Sequence, residues 1–156
     1  MSGAGPVIVE IKGLNELGAA FKKLIDEAPG QFGKAIASSL IMLQGDVVKE
    51  LQRGERTGRV YYRGKIMHQA SAPGEPPKSD SGYLAGHASF SVEPDGLSGS
   101  FFVNALYARW LEEGTKKMAA RPYLQPIVDK DRAAIEALIR KAVDAALTQF
   151  KARAGA

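Results

Sequence analysis

The sequence predicts an α+β fold: a small antiparallel sheet, built from an N-terminal strand and a hairpin at 88–104, packed by amphipathic helices that include a long C-terminal one. Three observations predict it. A chain of 156 residues, 45% of them hydrophobic, suffices for one core, so 1–156 should form a single domain. Two strand-like runs flank a turn signal within 88–104. The C-terminal part repeats apolar residues at helical spacing.

Three elements are predicted in the N-terminal third. Residues 7–11 are rich in β-branched side chains and indicate a short strand. An amphipathic helix follows, beginning at the capping residue Asn15 and ending before Pro29. A second, longer helix is predicted from about 31 to 52, with an apolar stripe that indicates burial.

Residues 54–80 interrupt this periodicity with glycines and prolines, and they predict one long extended loop. Loops longer than about 12–15 residues are uncommon in compact domains and are usually either functional or disordered. Consecutive prolines, Pro76 and Pro77, favour an extended path suited to an arm that reaches a neighbour. Between 53 and 78 basic residues outnumber acidic ones by four, which equals the net charge of +4. This excess indicates contact with phosphate or with an acidic protein surface.

The C-terminal half is predicted to contain the hairpin and two helices. After the hairpin, residues 105–113 have helical spacing and end at Gly114, a typical helix C-cap. Leu106, Trp110 and Leu111 are expected in the core. For the aromatic pair Tyr107 and Trp110, a role as interface anchors is an equally good interpretation. A basic loop leads into the long last helix, which tolerates a proline because it falls in the first turn.

The sequence contains no recognisable pattern of catalytic or metal-binding residues. The chain has no cysteine and two histidines, which excludes thiolate sites and disfavours a histidine metal site. Glu112 and Glu113 are adjacent on a predicted helix and point about 100° apart, unsuited to joint action on one bond. We therefore expect no enzyme, no catalytic residues, no metal and no cofactor. No apolar run reaches the roughly 18–20 residues of a membrane span, and the start lacks signal-peptide features. A cytoplasmic origin and no membrane contact are expected.

Two strings carry a family resemblance. Residues 70–77 read ASAPGEPP, followed by DSGYL at 80–84, and residues 107–124 read YARWLEEGTKKMAARPYL. Both resemble, in this order, motifs of the gene-product-ten-like family of siphophage morphogenesis proteins. That family typically has Lys-Met-x-Ala-Arg-Pro-Phe-Leu in the second string, where this chain has Tyr123 and an extra lysine.

The resemblance implies a structural virion protein at the neck of a long-tailed bacteriophage, assembled in the host cytoplasm and without catalytic residues. It implies a homo-oligomeric ring, six-fold, that completes or terminates the tail and contacts the head connector or stopper and the tail tube. The candidate subunit interface comprises Tyr107, Trp110, Glu112, Glu113, Lys116, Lys117, Arg121 and Tyr123. The candidate arm, or lining of the channel through which DNA passes, comprises Arg56, Arg59, Tyr61, Tyr62, Arg63, Lys65, Pro76 and Pro77. The arm is the favoured interpretation; the alternative function is a DNA-contacting module that uses the basic residues at 53–65.

Overall fold

The structure, a computed structural model, describes residues 22–26, 29–53 and 56–154. The described residues form five helical segments: α1 (22–26), α2 (Pro29–Arg53), α3 (Tyr83–Gly86), α4 (Ala108–Glu113) and α5 (Gln125–Ala154). They also form two antiparallel two-stranded sheets, β1 (Val60–Arg63) with β2 (Ile66–Gln69), and β3 (Ala88–Val92) with β4 (Gly99–Val103). The α+β class and the long C-terminal helix are thereby confirmed. The predicted strand at 7–11 lies outside the described residues, as does the start of the first predicted helix.

The core forms where α2 meets α5 and the β3–β4 hairpin. The apolar stripe predicted on α2 supplies its centre, because Leu43, Val47 and Leu51 follow one another at four-residue spacing and are all buried. Burying side chains of this size contributes roughly 1.5–3 kcal/mol each. At the rim of the core, Lys130 on α5 donates to Asp46 on α2 at 2.8 Å. Hydrogen bonds from Lys130 and from a second lysine hold the pKa of Asp46 below its usual value.

The hairpin predicted at 88–104 is confirmed. Phe90 pairs with Phe101 across β3 and β4, as the alternating pattern requires. The hairpin packs tightly on α2. Gly99, the first residue of β4, lies so close to the helix that an added Cβ would be 2.7 Å from Leu40 Cδ1. Gln44 Nε2 on α2 also donates to the carbonyl of Ala88 at 2.8 Å. These contacts fix the hairpin on the helix.

The prediction of one uninterrupted loop at 54–80 is wrong, because the second hairpin, β1–β2, lies within it. Gly64 opens the two-residue turn with φ +63°, a conformation that favours glycine. The strands escaped prediction because their apolar residues do not alternate with polar ones: Val60, Tyr61, Tyr62, Ile66 and Met67 are all exposed. Two paired strands of which neither face is packed into the core leave no period-2 signal.

The remainder of this segment lies against the body and is no free arm. The backbone nitrogen of Ser79 donates to the carbonyl of Leu51 at 2.8 Å, and Pro77 is buried. Pro76 is half-buried. The expectation that these prolines extend towards a neighbour is therefore wrong: they form part of this chain's own surface layer.

The helices of the C-terminal half differ in one respect from expectation. The α4 helix begins at Ala108 rather than at 105, so Leu106 lies before it and is 94% exposed. Trp110 is exposed too, and Leu111 is half-buried against the core. Placing Leu106 and Trp110 in the core was wrong: Leu106 precedes the helix, and Trp110 lies on the exposed side of a helix of only six residues. None of the described helices has the length and apolarity that a membrane crossing needs.

Candidate assembly surface

The two strings that carry the family resemblance are in direct contact in the fold. The backbone nitrogen of Gly74, in the first string, donates to the carbonyl of Ala120, in the second, at 3.0 Å. Arg121 Nη1 donates to Ser71 Oγ at 3.0 Å. The segments 70–84 and 107–124 therefore make one continuous structural unit, although they are far apart in the chain.

Glu112 serves as the N-terminal cap of α5. Its Oε2 accepts from the backbone nitrogens of Tyr123 at 2.8 Å and Leu124 at 3.0 Å, and its Oε1 accepts from that of Gln125 at 2.8 Å. The first backbone N–H groups of a helix have no partner within the helix, and a carboxylate there also meets the positive end of the helix dipole. Glu112 therefore joins α4 to α5 within one chain, and its place in a subunit interface stays a prediction.

Tyr123, also expected at the interface, lies in the core. It is 2% exposed and packs within the main cluster of buried residues. Burial, aided by the negative charge of Glu112, raises the pKa of Tyr123 to about 12. Its side chain is therefore not accessible to a second subunit, and the earlier assignment is wrong.

Glu75 fastens the first string to the segment before β1. Its carboxylate accepts from the backbone nitrogens of Thr57 at 3.0 Å and Ala72 at 2.8 Å, and from the hydroxyl of Thr57. These hydrogen bonds to Thr57 and Ala72 lower the pKa of Glu75 to about 2. Next to Thr57, an added Cβ on Gly58 would lie 2.5 Å from the carbonyl oxygen of Ser71, so the two backbones require glycine at this crossing.

Arg56, expected in the exposed arm, is a buried residue of the body. Its Nη2 donates to the carbonyl of Glu50 at 2.8 Å and lies 3.2 Å from the Glu50 carboxylate. It thus binds near the C-terminal end of α2, where carbonyl groups and the helix dipole favour a cation. Its assignment to an arm or channel is wrong.

The remaining residues of the candidate arm lie together on the exposed hairpin: Arg59, Tyr61, Tyr62, Arg63 and Lys65. Because cross-strand partners share a face, Tyr61 and His68 lie on one side and Tyr62 and Met67 on the other. The first side faces the body, and a weak ion pair of 3.5 Å joins Arg63 to Asp80. The second side, with Val60, Tyr62 and Met67, is called the hairpin outer face; Tyr62 is 71% exposed.

A second exposed apolar area surrounds the start of α4. We call Tyr83, Leu106, Tyr107 and Trp110 the aromatic patch. The rings of Tyr83 and Tyr107 lie 6.1 Å apart, and Trp110 is 57% exposed. Two of these four residues, Tyr107 and Trp110, were predicted as interface anchors, whereas Tyr83 and Leu106 were not. No sequence signal separated Leu106 from a core residue.

The charged members of the predicted interface divide into two groups. Glu113, Lys116 and Lys117 are exposed near the aromatic patch. Glu113 pairs with Arg109 one helical turn away at 2.8 Å. The two lysines stand on a tight turn closed by a bridge between the residues that flank them. Arg121, in contrast, is half-buried.

Within the described part of the chain, no group of three or more acidic or histidine side chains is arranged to hold a metal ion. Comparisons of the whole chain with protein-family models, with curated proteins and with solved structures gave no match. The resemblance to the phage family therefore rests on the two strings themselves.

Proposed function

We propose that this chain is a structural virion protein that assembles as a six-fold homo-oligomeric ring at the neck of a long-tailed bacteriophage. In this role it completes or terminates the tail and joins it to the head connector or stopper, without catalysing a reaction. The two motif strings support the phage assignment. Their direct contact in the fold supports it further, because residues of one functional unit are expected to meet.

The observation that carries the assembly role is the uncovered apolar surface. Leu106, Trp110 and Tyr62 are among the most exposed hydrophobic side chains of the described residues. Soluble monomers rarely leave contiguous apolar areas uncovered, and such areas mark interaction sites. The hairpin outer face and the aromatic patch are two different surfaces, which suits a head-to-tail contact that closes into a ring.

Light scattering combined with a joining assay tests this proposal. The purified protein should form a discrete oligomer, alone or when purified tails are added, and should be required for heads and tails to join. Negative-stain images of particles made without the protein should contain separate heads and tails. A protein that stays monomeric at high concentration and does not associate with tails contradicts the proposal.

A second candidate function is contact with DNA in the channel. Arg59 and Lys65 are exposed at opposite ends of β1, and the exposed Tyr62 between them offers a ring on which a base can stack. Binding of duplex DNA should weaken as salt rises, and Arg59→Gln with Lys65→Gln should reduce the salt dependence. The matched control is Lys116→Gln with Lys117→Gln. Affinity that is absent, or equal at low and moderate salt, excludes this function.

A further inference from the structure

A pocket of about 220 Å³ lies where the inner side of the β1–β2 hairpin faces the two motif strings. Its walls include Tyr61, His68, Pro77, Asp80, Leu111 and Arg121. Three parts of the chain thus converge here: the hairpin, segment 70–84 and segment 107–124. The proposed ring does not by itself account for this concavity.

Arg121 is a half-buried residue of this pocket whose charge has no acidic partner among the described residues. Its Nη1 donates to the neutral hydroxyl of Ser71, and its Nε is buried without a hydrogen-bond partner. Its Nη2 is not buried and makes no hydrogen bond to the described residues. No carboxylate oxygen of the described residues lies within 4.0 Å of its guanidinium. A half-buried cation with one neutral partner is costly, and it is stabilised strongly when an anion binds.

The acidic group in the pocket, Asp80, is already engaged. Its Oδ1 lies 3.4 Å from His68 Nδ1 and 3.5 Å from Arg63 Nη2. Lys78 also lines the pocket and adds a positive charge. Arginine and lysine therefore exceed aspartate around this cavity, and the chemistry favours an anionic ligand.

The walls favour a carboxylate over a phosphate. Tyr61, Pro77 and Leu111 present apolar surface that suits the methylene groups of an acidic side chain. Asp80 repels every anion that enters, and it repels a phosphate with nearly two charges more strongly than a carboxylate with one.

We propose that this pocket binds the carboxylate of an aspartate or glutamate side chain from a neighbouring protein, with Arg121 as the group that recognises it. The identity of that neighbour as a component of the phage neck rests on the proposed function. The binding of a carboxylate does not, so the isolated chain suffices for the test.

Titration of the isotope-labelled chain, followed by NMR at the Arg121 Nε–H resonance, tests the proposal. The probe is N-acetyl-glutamate N-methylamide, which carries one carboxylate; methyl phosphate and sodium chloride at equal ionic strength are the comparators. The carboxylate should produce a saturable shift, methyl phosphate a weaker one and chloride none. Absence of saturation with the carboxylate, or tighter binding of methyl phosphate, overturns the proposal.

Variants locate the binding. Arg121→Lys should weaken binding of the probe about tenfold or more, because lysine cannot form the paired hydrogen bonds of a guanidinium. The matched control is Arg109→Lys, since Arg109 is an exposed arginine already paired with Glu113, and it should leave the affinity unchanged. Tyr61→Ala removes part of the pocket wall and should also weaken binding of the probe. This variant keeps the proposal testable if Arg121→Lys does not fold. Equal affinity in all variants overturns the assignment to this pocket.

The outcomes also separate this proposal from the proposed function. A chain that joins heads to tails but does not bind the probe keeps its neck role and loses the carboxylate site. A chain that binds the probe but neither oligomerises nor associates with tails keeps the site and loses the neck role.

Discussion

Glu112 Oε1 lies 2.8 Å from the backbone nitrogen of Gln125, so the end of α4 supplies the cap for the start of α5. The same carboxylate also accepts from the two preceding backbone nitrogens. One side chain thus fixes the angle between the short helix that bears the aromatic patch and the long helix of the core.

Replacing Glu112 by alanine should lower the free energy of unfolding by about 1–2 kcal/mol, because three backbone N–H groups lose their acceptor. Urea unfolding followed by circular dichroism measures this change. Glu113→Ala is the matched control: its side chain is exposed and pairs with Arg109 on the surface, so the unfolding midpoint should move little. Equal destabilisation by the two variants would contradict the capping role.

Glu75 should make the stability of the fold depend on pH in the acidic range. Its pKa in the folded chain, about 2, is below the usual value of 4.5, so the folded state favours the ionised form. The resulting stabilisation is complete above the usual value and is lost as the pH falls towards about 2. Unfolding midpoints measured across this window should fall in the wild type and fall less in Glu75→Gln. Identical pH profiles would show that the carboxylate does not hold this segment.

Gly58→Ala should destabilise the chain by about 1–3 kcal/mol, since the new methyl group meets backbone atoms that cannot move aside easily. Gly45→Ala provides the contrast. Nothing lies within 4 Å of an added Cβ at Gly45 in the middle of α2, so alanine should stabilise by up to about 1 kcal/mol. Thermal unfolding of the two variants measures both effects; a stable Gly58→Ala variant would refute the close crossing.

Trp110→Ser should abolish oligomer formation while it leaves the free energy of unfolding within about 0.5 kcal/mol of wild type. Trp110 contributes to the aromatic patch and little to the core of a single chain. Ile41→Ser is the matched control, because Ile41 is similarly exposed on α2, outside the two surfaces. Oligomers that persist in Trp110→Ser, or that are lost equally in Ile41→Ser, would argue against this patch as the interface.

Local patterns predicted the elements whose contacts repeat regularly. The stripe on α2 and the alternation in β3 and β4 both reflect one face against one core, and both were found where predicted. The hairpin β1–β2 lacks such a face, so its strands carried no period. The role of Glu112 was equally hidden, because its partners lie 11 to 13 residues further along the chain and no spacing rule connects them.

Several residues of the candidate site are exposed, so their place in an interface stays a prediction, whereas some of the charged residues have a partner within the chain. Tyr107, Trp110 and the tyrosines of the hairpin are exposed as an interface requires. Arg56 and Glu112 instead satisfy backbone groups of their own chain. The sequence alone does not distinguish an arginine that binds the carbonyl groups at a helix end from one that is available to bind another protein.

The two strands of the β1–β2 hairpin each have an outer edge that pairs with no other strand of the described chain. Open edges of this kind invite strand addition from identical copies, which leads to aggregates without a defined end. Arg59, Arg63 and Lys65 place like charges at the ends of β1, so two hairpins that approach edge to edge repel each other. The same residues that make the hairpin basic therefore also disfavour the pairing of two copies through these open edges.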